Sequence, residues 1–138
     1  MARTGPRSDA GDAPRVLLVG VGPMVGTALE AARVLGEHGV RTTVAAPTWV
    51  LPMPSALVKL AGEADLVVTV EDGLAEGGVG ALLGERLTAE GHLARMLTLG
   101  LPTTFVDHAS REEIVARYRL GAADVAADAL AALGSLRP

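Results

Sequence analysis

Three stretches of this 138-residue chain hold residue types that could bind or react. Gly20-Val21-Gly22-Pro23-Met24-Val25-Gly26 has the composition of a phosphate loop, in which glycines let backbone amides approach a pyrophosphate. Its spacing is GxGxxxG, one residue longer than the dinucleotide fingerprint. Pro23 also removes a backbone donor where the helix N-terminus would need one. The acid that should hold a ribose at the end of the next strand is replaced by Ala45, Ala46 and Pro47. A tight strand-to-helix turn accounts for these glycines better than a nucleotide site does. The second stretch, Glu71-Asp72-Gly73 followed by Glu76 and Gly77-Gly78-Val79-Gly80, offers carboxylates suited to a hard cation. Their spacing matches no oxygen cage, so a glycine turn with Glu71 satisfied by a backbone amide or an Arg is the better reading. The third, Asp107-His108 with Ser110, suggests a nucleophile triad. Neighbouring strand residues point to opposite faces, no G-x-S-x-G elbow exists, and Ser110 has a capping role. His38 and His92 lie beside glycines at helix ends and read as partners of the C-terminal helix dipole.

What is missing narrows the chemistry further. There is no Cys, which removes thiolate zinc sites, disulfides and thiol nucleophiles. There is no Asn and no Gln, so no side-chain amide can donate to an oxyanion. Lys59 is the single Lys, and any Schiff base would rest on it. Aromatics make up 2% of residues and the net charge is −4, a poor match for stacking bases or neutralising phosphates. Nucleic acid is therefore excluded as a partner. No apolar run approaches the roughly 18 residues of a membrane span, and no signal-peptide core is present. A cytoplasmic domain is expected.

The elements that must position these residues alternate between strand and helix. Residues 1–14 mix Gly, Pro, Ser and charge without periodicity and read as a flexible tail, leaving 15–138 as one domain. Strands are expected at Arg15–Gly20, Arg41–Ala46, Leu66–Val70 and Arg95–Leu99, with a short fifth at Thr104–Val106. Helices are expected after Gly22, after a Ser55 cap, over Ala81–Glu90, from a Ser110-Arg111-Glu112-Glu113 capping box, and over Ala123–Leu133. The apolar loop Trp49–Pro54 is either a lid under its own helix or part of a contact surface.

Together these segments resemble the C-terminal domain of the transketolase superfamily, most closely its 1-deoxy-D-xylulose-5-phosphate synthase branch. The resemblance is carried by Val16–Gly22, Pro52 with its helix, Leu66-Val67-Val68-Thr69-Val70-Glu71, Gly77-Gly78-Val79-Gly80, Gly100-Leu101-Pro102 and Phe105-Val106-Asp107-His108-Ala109-Ser110-Arg111-Glu112-Glu113. It spans nearly all of Arg15–Leu133. Three places depart from the family pattern: Pro52-Met53-Pro54, Thr103-Thr104 after Gly-Leu-Pro, and Leu120-Gly121 before the last helix.

The resemblance implies an α/β fold, a three-layer α/β/α sandwich on a mixed, mostly parallel five-stranded sheet. It implies a C-terminal assembly subunit of a split, thiamine-diphosphate-dependent transferase of this type. Thiamine diphosphate and magnesium are expected on partner chains, with no cofactor, metal or catalytic residue on this one. Those partners would condense a two-carbon or acyl donor with an aldose phosphate or a similar acceptor. A homodimer contact is also implied. Trp49, Glu71, Gly77, Gly78, Gly80, Gly100, Pro102, Phe105 and His108 are the turn or interface candidates. Two other readings stand beside this one: a non-enzymatic interaction or regulatory module, and an independent small-molecule-binding α/β domain using the Gly20 and Gly73 loops.

Overall fold

In the computed structural model, residues 2–3, 13–48, 52–75, 77–92, 95–102 and 109–134 are described. Strand β2 (Arg15–Gly20) is apolar at every position from Val16 to Val19, because it lies at the centre of the sheet with both faces covered. It pairs in parallel with β3 (Arg41–Ala45) on one side and β4 (Leu66–Leu74) on the other. β4 in turn pairs in parallel with β5 (Arg95–Leu101). These four strands are the body of the sheet. A two-residue strand, β1 (Ala2–Arg3), runs antiparallel to β3 and makes the sheet mixed, in the order β1-β3-β2-β4-β5. The fifth strand thus comes from within the segment read as a tail. The expected one at Thr104–Val106 lies outside the described residues.

Alternate residues of the strands feed two separate cores. Val16, Leu18, Val68 and Val70 meet α1 (Val25–Glu37) and α5 (Ala122–Gly134) on one face. Leu17, Val19 and Val67 meet α2 (Ser55–Gly62) and α3 (Val79–Ala89) on the other. This gives the three layers expected of parallel strands joined through helices. A short helix, α4 (Arg111–Arg117), precedes α5.

Local expectations fared unevenly. Ser110 does cap α4: its Oγ accepts from the Glu113 amide at 3.2 Å. Ser55 does not cap α2. Pro54 occupies the cap position with extended backbone, and Ser55 is the first helical residue. A proline fits there because it brings the required φ and the chain needs no donor from it. β4 runs on through Leu74, four residues beyond the expected end at Val70, because a register shift lets Leu74 pair with Leu101. The Ala75 amide then donates to the Leu101 carbonyl at 2.9 Å. Helix α3 accordingly starts at Val79, earlier than Ala81.

The α4 cap supplies a direct test. Ser110→Ala should lower stability by about 1 kcal/mol, while Ser110→Asp should hold close to the parent, since either oxygen accepts from an N3 amide. Urea unfolding of the three proteins checks this.

Candidate functional site

In open α/β sheets, sites form beyond the carboxyl ends of the strands. Here that end gathers the Gly20–Met24 turn, Glu71–Gly73, Gly100–Pro102 and the start of α4. The turn is a 3-10 segment, Gly22–Met24, with Gly22 at φ +56°. Met24 is buried and donates its amide to Val21 O at 3.1 Å. A Cβ on Gly20 would lie 2.8 Å from Val25 Cα, so the helix rests directly on the strand end. At the end of β3, Ala45, Ala46, Pro47, Pro54, Ala56 and Leu57 line a cavity of about 130 Å³ with no polar side chain.

The glycine turn is built around Glu71. Its side chain is 5% exposed, and Oε2 accepts from the Val79 amide at 2.8 Å. The Gly80 amide also stabilises the carboxylate. Glu71 therefore anchors the first turn of α3, where two orphan amides and the helix dipole favour a negative group. Burial still raises its pKa above the ordinary carboxylate value, with the neighbouring Asp72 charge adding to the rise. Gly77 turns the chain at φ +76°, and Gly78 takes the cap position of α3.

Gly80 has the tightest surroundings. A Cβ there would collide with Thr69 Oγ1 and would lie 2.5 Å from Thr98 Cγ2. Only a hydrogen fits between α3 and the sheet. Thr69 is fully buried, and its Oγ1 has no hydrogen-bond partner. Gly100 works the same way on the next strand, since a Cβ would meet Gly73 O at 3.0 Å and Ala75 N at 3.1 Å. Pro102 follows it, exposed. Trp49, Phe105 and His108 lie outside the described residues, as do Glu76 and Asp107.

Sequence reasoning overlooked two contacts. Arg111 pairs with Asp72 at 3.1 Å and points a second nitrogen at Met24 Sδ, 3.8 Å away, joining α4 to both strand ends. Nothing in the sequence marks a pair 39 residues apart. The His92 ring packs against Gly62, where a Cβ would lie 2.6 Å from the imidazole, so this residue is a packing group between α3 and α2. His38 meets expectation: its Nδ1 lies 2.9 Å from the Val34 carbonyl at the end of α1. Of the strand residues missed, Thr69 had a signal, because period-two alternation puts it on the same face as Glu71.

The profile of the transketolase C-terminal domain matches residues 9–125. The chain belongs to the transketolase C-terminal domain family. Among its relatives, 1-deoxy-D-xylulose-5-phosphate synthase of Rhodococcus jostii (strain RHA1) is 48% identical over 126 residues, 89% of this chain and 19% of that protein. The enzyme of Corynebacterium glutamicum (strain R) is 42% identical over 125 residues, 91% of this chain and 20% of its own length. 1-Deoxy-D-xylulose-5-phosphate synthase 1 of Kitasatospora griseola is 44% identical across 100% of this chain and 20% of its own. The chain thus spans about a fifth of the curated relatives it matches. Among solved structures, a split-gene transketolase, an inactive β4 tetramer, superposes with a TM-score of 0.74 at 28% identity, covering 84% of this chain and 38% of that one.

Transketolase-type enzymes depend on thiamine diphosphate, and the described acidic residues at this end of the sheet are engaged within the fold. Among the described residues no three His, Asp or Glu side chains come together to hold a cation. Glu71 is occupied with α3, and Asp72 is paired with Arg111. The orphan hydroxyl of Thr69 faces Gly80 with no space for a ligand atom.

Three outcomes follow from this geometry. Gly80→Val should destabilise the fold by about 3 kcal/mol through overpacking against a buried strand. Thr69→Val should be neutral or stabilising, since it removes an unpaired buried hydroxyl at constant shape. Thermal melts read both. Because the folded state raises the Glu71 pKa, folding favours its protonated form. Its contribution is therefore greatest below the ordinary carboxylate pKa and is lost as pH rises through the folded value. In Glu71→Gln that share of the pH dependence should vanish, as melts from acid to neutral pH will show.

Proposed function

We propose that this chain is the C-terminal assembly subunit of a split, thiamine-diphosphate-dependent transferase of the 1-deoxyxylulose-5-phosphate synthase kind. Its catalytic cofactor and magnesium would sit on partner chains that carry the thiamine-binding domains. The observation carrying this reading is the close packing at the carboxyl ends of β4 and β5. Glu71 and the surrounding glycines hold α3 against β4 and β5, so these groups serve the packing of the layers. A domain of this family built that way contributes surface and shape, not reacting groups. The split-gene transketolase that superposes on this chain supports it, because that family member exists as separate chains. The reading implies a cytoplasmic complex. Among the described residues no helix is long and apolar enough to cross a membrane, which is compatible with it.

Two measurements test the reading. Affinity purification of the tagged chain from its native host, followed by mass spectrometry, should recover a chain bearing a thiamine-diphosphate motif. Calorimetry of the isolated chain with thiamine diphosphate and magnesium should show no saturable binding. Micromolar affinity in the second experiment, or no thiamine-binding chain in the first, would overturn the subunit assignment.

A further inference from the structure

Among the described residues, β5 is the one long strand of the sheet that pairs on a single side. β4 takes its inner edge, and no described residue pairs with the outer edge. Met96 through Gly100 are all half-exposed along it. Natural edge strands are shielded by charges, prolines, bulges or short length. This one runs for seven residues with a single charge, Arg95, at its start and Pro102 just beyond its end. At about 3.3 Å per residue that is roughly 23 Å of main chain with no shield among the described residues.

We propose that this edge pairs antiparallel with β5 of a second copy, through a two-fold axis at Thr98, to make one continuous sheet. The proposal deepens the assembly reading above, and rests on it for the expectation that the domain works in contact with other chains. The strand matches itself in three ways. Centred on Thr98, the pairing sets Leu97 opposite Leu99 of the second copy, joining the face that already packs with α1 and α5. On the α3 face, Met96 meets Gly100 of the second copy, which has no side chain to clash. Arg95 falls opposite Leu101 of the second copy, so no like charges face each other across the ladder. Beside Met96, Gly84, Glu85, Thr88 and His92 line a cavity of about 580 Å³ on the α3 side of the strand. A strand of unrelated sequence would gain the same main-chain bonds but none of this side-chain fit.

The chain has no Cys, which makes the test clean. Sedimentation velocity of the full chain should show a dimer at high concentration. Under mild oxidation T98C should cross-link about tenfold faster than L29C, since the two-fold axis brings the two positions within disulfide reach. Leu29 is exposed on α1, away from β5, and serves as the control. Without any substitution, amide exchange at Met96–Gly100 should slow as concentration rises, while exchange elsewhere on the surface stays constant. A chain that remains monomeric overturns the proposal. So does a dimer in which T98C gains no rate over L29C and the β5 amides exchange alike at every concentration. Either failure leaves the thiamine-partner assignment standing, because co-purification reads that separately.

Discussion

Helix α3 approaches the sheet more closely than any side chain would let it. At Gly80 the missing Cβ is what allows Thr69 and Thr98 to lie under the helix, and two residues further along β4 the Glu71 carboxylate accepts the first amides of that helix. One contact sets the distance between layers and the other sets where the helix begins. Together they account for the dense glycine run at 77–80, the extension of β4 to Leu74 and the buried acid. Charge-assisted hydrogen bonds and the dipole of α3 counter part of the desolvation of Glu71, and burial outweighs them, so its pKa stays raised.

This arrangement also decides what the domain can do. At the carboxyl ends of β2 and β5, where a ligand would naturally sit, Gly20 and Gly100 bring neighbouring backbone into close contact. Arg111 ties α4 across the same end by pairing with Asp72. Groups that in another α/β domain would face a substrate here hold elements to one another. These contacts support the assembly role proposed above.

The two edges of the sheet differ in kind. At β3 the chain itself adds Ala2–Arg3 and begins to cover the ladder. At β5 the described residues leave the ladder open and apolar, with half-exposed side chains on both faces. An edge left in this state is a directional surface: it accepts extended main chain, and it sets the partner's orientation by register. The glycine at one end and the methionine at the other give that register a preference.

Much of the fold was legible in the sequence because its signals are local. The apolar runs at Val16–Val19 and Leu66–Val70 mark strands buried on both faces, and a Ser with Glu three residues on marks the start of α4. Family resemblance added the three layers and the mixed sheet. The candidate site was only partly legible. Glu71 stood out as an acid beside a glycine run, and an amide partner was one of two expected for it, but the sequence did not say that the amide belongs to α3. The Thr69–Gly80–Thr98 contact, the Arg111–Asp72 pair and the packing of His92 on Gly62 join residues far apart in the chain. Spacing carries no information about such distances, because they depend on how layers settle after the strands have paired. Local patterning determined which segments become strands and helices, and close packing between layers decided that the acids and glycines serve the scaffold.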